Sequence, residues 1–385
     1  MSENITDYTA SLWQYRLISE NEPEVLPEYL MKLESCGKST VIASRVRGKR
    51  HKHDGSNCDD WFETASDGSI IYIAVADGAG SKKFSGIGAR EACRAVCGYL
   101  KYTFAKDVSK QTIADLSPDL ADEKCISACK VLAGVVQNAI KKAYSAVESA
   151  FYTRVSDSAY YEYLGRTPEI SDFSSTLLVA VVIPLETENK RLVISCQIGD
   201  GTIVLVNTSE TFENSVKIMC KSDSGEFSGE TDFLTSENLI NTAELSLRTR
   251  ISIDSSDILM LMTDGVSDDY FPPEMQMQRL FLDLSANGIL PLDCGEYEGE
   301  EIPQPDFYPW VNDKTTEIGL NYTRNIGEKI GYPLKCLWNN REIIKSAENK
   351  LKELPDNQAE RLKIWLDNYV ERGSFDDRTL VIVKM

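Results

Sequence analysis

Four aspartates stand beside short apolar runs, where their carboxylates could meet at the rim of a buried sheet. Asp77 and Asp264 each end an apolar run and precede a glycine. Asp376 comes just before the last apolar run, and Asp60 lies in the segment CDDWF. Carboxylates gathered at such a rim repel one another and are costly to desolvate, unless bound cations offset their charge. Any one of them alone could equally be an ordinary turn residue.

The ligand types indicate a hard cation. Oxygen-only ligands select Mg2+ or Mn2+. The sequence has no CxxC or HExxH motif, and its only two histidines, His51 and His53, stand together in a basic segment. Zinc held by cysteine and histidine is therefore not expected.

The net charge of the chain limits the classes of molecule that are expected to bind it. There are 41 basic and 60 acidic residues, which gives a formal net charge of -19. This charge would repel nucleic acid and anionic membranes, so neither is expected as a partner. It would also repel a phosphorylated substrate, so phosphate chemistry requires cations or a local basic cluster.

The segment SRVRGKRHKHDG, just before Asp60, is a candidate for that basic cluster. Arg50 is the candidate phosphate-binding residue, because a guanidinium suits bidentate contacts to phosphate. The alternative is a solvated basic loop without a binding role. The basic and imidazole side chains of the segment are Arg45, Arg47, Lys49, Arg50, His51, Lys52 and His53.

The elements that would position these residues are mostly strands. Apolar runs rich in β-branched residues predict strands, and apolar residues at helical spacing predict helices at about 86–102 and 128–151. A last helical stretch is expected at about 341–369. Strands around a helical pair favour an α+β layered fold over alternating βαβ units. The predicted strands are 70–77, 174–184, 191–200, 202–207, 258–264 and 379–384.

The chain is expected to be a single domain over 1–385, with a core of about 36–270 and 333–385. The stretch 271–332 is rich in Pro, Gly, Asp and aromatic residues and is interpreted as an insertion. Residues 1–35 are expected to be an N-terminal extension. Ten scattered cysteines and the polar start MSENITDYTA indicate reduced thiols in a cytoplasmic protein, and no apolar run is long enough to cross a bilayer.

The ordered set CDDWF, IAVADGAG, FSSTLLVAVV, CQIGDG, LMLMTDGVSDD and SFDDRTLVIV resembles the type 2C protein phosphatases, the metal-dependent serine/threonine phosphatase family, in its bacterial branch. The resemblance covers nearly the whole core. It implies a four-layer α-β-β-α sandwich, in which two antiparallel sheets are flanked by helices. It also implies a cleft at one end of the sandwich that holds two or three Mg2+ or Mn2+ ions.

The same resemblance implies roles for individual residues. It makes Asp60, Asp77, Asp264 and Asp376, with the carbonyl oxygen of Gly78, the ligands of two central ions. Asp59 and Asp377 are expected to orient bound water. Asp172 is a candidate ligand of a third ion and equally a cap or turn residue. Asp200 is expected to hold a hairpin turn beside the cleft, and Asp268 to lie outside the ligand set.

The resemblance leaves the substrate-binding residues open. Gly55 stands where many family members have a phosphate-binding arginine. His51 resembles a histidine of bacterial relatives and could protonate the leaving seryl oxygen, because the pKa of a histidine is ordinarily near neutrality. His53 is the alternative to His51 and a candidate substrate contact.

The expected function is hydrolysis of phosphoserine and phosphothreonine in proteins by metal-activated water, without a phosphoenzyme. The expected protein is a monomer that opposes a serine/threonine kinase. One alternative is an inactive phosphatase-like module that only binds its partners. Another is a phosphatase of the same fold that acts on a small phosphorylated metabolite.

Overall fold

The computed structural model describes residues 14–119, 121–186, 189–219, 231–236, 239–295, 308–310, 313–318, 332–348, 355–368 and 375–385. These residues form two large antiparallel sheets, a small hairpin and a set of flanking helices. Among the described residues, no helix is long and apolar enough to span a membrane.

The first sheet has six strands in the order β1-β2-β13-β10-β7-β8, and neighbouring strands are antiparallel. The last strand of the chain therefore lies in the middle of this sheet, between one of the first strands and β10. The strands are β1 (Tyr29–Cys36), β2 (Ser39–Val46), β7 (Thr202–Val206), β8 (Val216–Ile218), β10 (Ile258–Met262) and β13 (Arg378–Lys384).

The second sheet has five strands in the order β3-β4-β5-β6-β9, again all antiparallel. A separate two-stranded hairpin consists of β11 (Tyr308–Trp310) and β12 (Asp313–Ile318). The five strands of the second sheet are β3 (Trp61–Asp67), β4 (Ile70–Ala76), β5 (Leu177–Pro184), β6 (Arg191–Ile198) and β9 (Thr249–Asp254).

The two sheets pack face to face. Because successive side chains of a strand point to opposite faces, β4 sends Ile71, Ile73 and Val75 into the layer between the sheets. Its other face, with Tyr72 and Ala74, packs under helices. Strands that are covered on both faces must be apolar throughout, and this explains the continuous apolar runs of the sequence.

Two long helices cover the outer face of the second sheet. They are α2 (Ser85–Phe104) and α4 (Glu123–Arg154), and both contribute buried side chains to the cluster under that face. Asp122 accepts a hydrogen bond from Lys124 N and so caps the start of α4. The smaller helices of the N-terminal part and of this side are α1 (Lys49–Asp54), α3 (Asp107–Ala114), α5 (Ser158–Leu164) and α6 (Thr242–Leu247).

Helices from the C-terminal part cover the outer face of the first sheet. Helix α8 begins within the segment that was expected to be an insertion, and it buries Met277, Leu280 and Phe281 in this layer. Most of the remaining residues of that segment lie outside the described residues. The helices are α7 (Asp264–Ser267), α8 (Pro273–Ala286), α9 (Leu334–Asn339), α10 (Glu342–Glu348) and α11 (Gln358–Asn368).

The layers therefore follow the order α-β-β-α, and the predicted fold class is confirmed. The strands predicted from apolar runs all match observed strands to within a few residues. The two predicted helices correspond to α2 and α4, and the last predicted helical stretch is divided into α10 and α11.

Gly88 in α2 marks the closest approach of this helix to the turn at Ile170–Phe173. A Cβ at Gly88 would collide with the carbonyl oxygen of Phe173, whereas a Cβ at Gly98 of the same helix would meet nothing within 4 Å. Replacing Gly88 by alanine should therefore lower the free energy of unfolding by about 1–3 kcal/mol. Replacing Gly98 by alanine should raise it by about 0.5–1 kcal/mol, because alanine favours the helix. Urea unfolding of both variants tests this, and equal midpoints would contradict it.

Candidate metal centre and phosphate site

The four predicted ligands come from both sheets and meet at one end of the sandwich. Asp60 precedes β3 and Asp77 follows β4 in the second sheet, while Asp264 follows β10 and Asp376 precedes β13 in the first. The charges of Asp60, Asp264 and Asp376 all raise the pKa of Asp77. The structure thus brings all four into mutual electrostatic contact.

Asp60 is fully buried between the sheets. Its Oδ2 accepts hydrogen bonds from Thr263 Oγ1 at 2.9 Å and Thr379 Oγ1 at 2.6 Å. Its Oδ1 has no hydrogen-bond partner among the described residues. Burial, and then the charge of Asp377, raise the pKa of Asp60 well above its ordinary value. An ionised Asp60 thus needs further positive charge.

Asp77 and Asp264 form a close group with Asp200. One carboxylate oxygen from each of the three lies within 4.8 Å of the others. Burial, and then the charges of Asp264 and Asp60, raise the pKa of Asp77. Burial and the charge of Asp200 raise the pKa of Asp264 to about 6. Asp264 Oδ1 also lacks a hydrogen-bond partner within the part of the chain that the structure describes.

Sequence reasoning missed Asp200 as a member of this group, since it interpreted that residue as a turn aspartate. Asp200 does lie in a tight turn, between Gly199 and Gly201 with φ values of +86° and +90°. The available signal was its position directly after a buried strand, as for Asp77 and Asp264. Asp268, which was expected to lie outside the ligand set, is exposed, and partial desolvation and then the charge of Asp200 raise its pKa.

The loop that carries Asp77 and Gly78 is held by the SST motif. Asp77 N donates to Thr176 Oγ1 at 2.9 Å, and Thr176 N donates back to Asp77 O at 2.8 Å. Ala79 N donates to Ser174 O at 3.0 Å. A Cβ at Gly78 would lie 2.8 Å from both Asp59 O and Ser85 Oγ, so only glycine lets this loop approach Asp59.

Asp377 ties the segment before Asp60 to the start of β13. Its Oδ1 accepts from Gly48 N at 2.5 Å, and its Oδ2 accepts from His51 Nδ1 at 2.8 Å and from Asp59 N. Burial opposes ionisation of Asp377, but the charge and hydrogen bond of His51 hold its pKa below the ordinary value. Asp377 therefore holds the backbone on both sides of α1.

His51 is buried between carboxylates, with its Nε2 at 3.7 Å from Asp59 Oδ2. Burial would lower the pKa of His51, but Asp377, and then Asp59 and Asp376, raise it to about 10. This differs from the near-neutral pKa that was expected, because the sequence did not show how many carboxylates would surround the ring. Burial and the charge of Asp377 raise the pKa of Asp59 to about 7, against the opposing charge of His51.

The basic segment divides into two parts. Arg45 and Arg47 are buried. Arg45 donates to the carbonyl oxygens of Asp60 and Pro27, and Arg47 donates to His51 O at 2.7 Å. These two arginines thus hold the backbone and are not exposed to substrate. The sequence had instead placed them in a candidate cationic cluster for a phosphorylated substrate.

Arg50 and His53 lie on α1. The side chain of Arg50 is exposed and borders a cavity beside His51 and Asp59. His53 Nδ1 accepts a hydrogen bond from Gln14 N at 3.1 Å, so one edge of its ring faces the N-terminal segment. Gly55 ends α1 with φ of +73°, a conformation that an arginine at this position would adopt only under strain.

Asp172 lies apart from the group of Asp77, Asp200 and Asp264. Arg166 donates to both of its oxygens, at 2.8 and 2.6 Å, and Glu169 N donates to Oδ2 at 2.8 Å. Burial opposes ionisation, but the hydrogen bonds of Arg166 lower the pKa of Asp172. Its carbonyl oxygen accepts from Phe84 N, so this turn supports the loop after β4.

Taken together, the donor set fits hard divalent cations. All the side chains of the group offer carboxylate oxygens, and two buried oxygens lack partners among the described residues. Burial, and then the charges of neighbouring carboxylates, raise the pKa values of Asp60 and Asp77. Oxygen ligands of this kind select Mg2+ or Mn2+.

Comparison with known proteins agrees with this chemistry. Residues 47–288, more than half of the chain, match the family model described as protein phosphatase 2C. A comparison with curated proteins found no similar sequence.

Solved structures with low sequence identity resemble the chain along most of its length. A serine-threonine phosphatase 2C from Toxoplasma gondii is 12% identical, with a TM-score of 0.42, and the match covers 93% of this chain and 99% of that one. Serine/threonine phosphatase Stp1 from Staphylococcus aureus is 11% identical, with a TM-score of 0.38 and coverage of 92% and 98%. The catalytic domain of the phosphatase PstP, in complex with 2 manganese ions, is 13% identical, with a TM-score of 0.33 and coverage of 92% and 96%.

The matched region includes Gly48, His51, Asp60, Asp77 and Asp264, and therefore most of the site. The resemblance noted in the sequence is thereby confirmed. The chain belongs to the protein phosphatase 2C family, the metal-dependent serine/threonine phosphatases.

Proposed function

We propose that this protein hydrolyses phosphoserine and phosphothreonine in other proteins, by attack of water on phosphorus and without a phosphoenzyme. One observation carries the proposal: carboxylates from both sheets meet at one end of the sandwich, where Asp60 Oδ1 and Asp264 Oδ1 have no hydrogen-bond partner among the described residues. Buried acceptors are normally paired. These two oxygens therefore support a site that is built for cations.

In this proposal Asp60, Asp77, Asp264 and Asp376, with the carbonyl oxygen of Gly78, hold two Mg2+ or Mn2+ ions. When bound, the ions make water acidic enough to ionise near neutral pH and offset the charge of the phosphate. Asp200 can add a carboxylate to this set, because it lies with Asp77 and Asp264. Asp172 remains bound to Arg166 and is not assigned an ion.

The residues around the ligands position them and supply a proton. Asp377 fixes α1 and the segment before Asp60, since its oxygens accept from Gly48, His51 and Asp59. His51 borders the cavity beside Asp59 and is protonated at neutral pH, because its pKa is raised to about 10. It is therefore our candidate donor of a proton to the leaving seryl oxygen.

A phosphorylated protein is the substrate that the family assignment favours. A serine/threonine kinase that adds the phosphate, a role in signalling, a cytoplasmic location and a monomeric state belong to the same proposal. The inactive binding module is disfavoured, because all four predicted aspartate ligands are present and come together. The small-molecule phosphatase shares the same ligands and differs only in its substrate.

Replacing Asp77 or Asp264 by asparagine should reduce Mn2+-dependent hydrolysis of p-nitrophenyl phosphate and of a phosphothreonyl peptide by more than about 100-fold. Loss of a ligand should cost at least as much as loss of a group that orients one. Mn2+ should also raise the melting temperature of the unchanged protein and not that of the variants. Asp115→Asn, at an exposed position after α3, is the matched control. Full activity of both ligand variants would contradict the assignment.

The substrate class can be tested with the unchanged protein. We expect a higher kcat/KM for phosphoseryl and phosphothreonyl peptides than for any member of a panel of phosphorylated sugars, nucleotides and amino acids. The side chains that line the cleft determine this preference, because the metal-binding carboxylates do not distinguish one phosphate monoester from another. A metabolite that exceeds every peptide in kcat/KM would instead support the small-molecule alternative.

Replacing His51 by glutamine should destabilise the metal-free protein most below about pH 6.5. The folded pKa of His51, about 10, exceeds the unfolded value of about 6.5. Its stabilising contribution is therefore complete below the unfolded pKa and disappears as the pH rises through the folded pKa. The difference in urea midpoint between the two proteins, measured with a chelator from pH 6 to 10, should narrow steadily. A difference independent of pH would rule out the charged pair with Asp377.

A further inference from the structure

A cavity of about 670 Å3 opens beside the carboxylates. Its wall includes Asp59, next to the ligand Asp60, and Gly80, two residues after Gly78. His51 also borders it. The remaining walls come from residues 19–22 of the N-terminal segment, from α1 and from α5. A group that reaches the carboxylates from this side must therefore pass through the cavity.

The cavity needs positive charge to accept a phosphate. Acidic side chains line it, among them Glu22, Asp54 and Glu162. With the net charge of -19, they would repel a dianionic phosphate. Arg45 and Arg47 are not available to bind a phosphate in the cavity, because both are buried and bound to backbone carbonyls.

Besides the protonated ring of His51, three basic side chains line the cavity: Arg50, Lys82 and Lys83. Lys83 is exposed and forms no hydrogen bond or salt bridge with any residue that the structure describes. Burial raises the pKa of Glu22, and the charge of Lys83 opposes that rise. Lys82 is half-buried, and its Nζ makes one long contact of 3.4 Å, to Ser171 Oγ. Both lysines thus retain donors for a bound anion.

The loop that carries these lysines is held in place. Lys82 N donates to Ala79 O at 2.7 Å, and Phe84 N donates to Asp172 O at 3.0 Å. Arg166 binds both oxygens of Asp172 and so fixes the turn behind the loop. Because the loop is anchored on both sides, its side chains lie at a defined distance from the carboxylates. An anion can then bind without a large free-energy cost for ordering the loop.

We propose that Lys82 and Lys83, which line the cavity together with Arg50 of α1, bind the phosphate of the substrate and direct it toward the carboxylates. This inference rests on the proposed phosphatase function and names the residues that recognise its substrate. The two ammonium groups add to the positive charge of Arg50 and His51 at this cleft and so help to offset the acidic side chains around it.

The test compares Lys82→Ala, Lys83→Ala and the double variant with Lys130→Ala, at an exposed position on α4. With Mn2+ present, we expect the double variant to lose about 10- to 100-fold in kcat/KM for p-nitrophenyl phosphate and for a phosphothreonyl peptide, mainly through KM. The inhibition constant of inorganic phosphate should rise by a similar factor. The double Lys→Arg variant should recover most of the loss, and Lys130→Ala should match the unchanged protein.

Binding of inorganic phosphate to the Mn2+-loaded proteins, measured by calorimetry, provides a readout that does not depend on turnover. Weaker phosphate binding by the double alanine variant, with an unchanged melting temperature and Mn2+ response, supports the proposal. Unchanged phosphate binding overturns it, even if kcat falls. An unchanged protein that hydrolyses neither substrate would contradict the phosphatase function, and the binding comparison would still decide the role of the lysines.

Discussion

The burial of several carboxylates at one end of the sandwich is the constraint on which the rest of the site depends. Burial is the main cause that raises the pKa of Asp60, Asp77 and Asp264, and the charges of neighbouring carboxylates add to the rise. Hydroxyl groups of Thr263 and Thr379 satisfy one oxygen of Asp60. Asp60 Oδ1 and Asp264 Oδ1 have no partner among the residues that the structure describes, and positive charge supplied by bound cations would stabilise them there.

Some basic side chains close to this site hold the backbone or a turn in place, and others line the cavity. Arg45 holds the carbonyl of Asp60 and lies over the ring of Trp61, with 4.5 Å from its guanidinium carbon to the ring centre. Arg166 holds Asp172, and through it the turn behind the loop after β4. Guanidinium groups suit both roles, because they make several fixed hydrogen bonds. Lys82, Lys83 and Arg50 line the cavity.

The sequence predicted the central strands well, since both of their faces are covered and must be apolar. It did not predict β1, whose residues are largely exposed or half-buried, or β9, where TRISID carries mixed polarity. Strand β2 was also not predicted: it ends inside the basic segment, and its Arg45 is buried through contacts with the carbonyl oxygens of Asp60 and Pro27. The last predicted helix is divided at a segment that contains Pro355, which cannot continue the hydrogen bonding of a helix interior.

Asp77, Asp264 and Asp376 were predicted as ligands because each follows or precedes a recognisable strand, whereas Asp60 was predicted from the segment CDDWF. The surroundings of His51 could not be found in this way, since they depend on which distant carboxylates the fold brings to it. Asp200 illustrates the same limit. With a glycine on each side of Asp200, a turn alone accounts for an aspartate at this position, so the sequence does not indicate a ligand there. The pairing of β6 with its neighbouring strand places Asp200 with Asp77 and Asp264.

The topology also decides how much of the chain the catalytic unit requires. The family match ends at residue 288, yet β13 lies between β2 and β10, and Asp377 at its start binds Gly48, 329 residues earlier. A chain cut after the matched region would lose a central strand, one predicted ligand and the carboxylate that holds α1. Because removing a central strand exposes two unpaired strand edges, such a piece would not keep the first sheet intact. We therefore infer that the two ends of the chain belong to one folding unit, and that the site forms only when both are present.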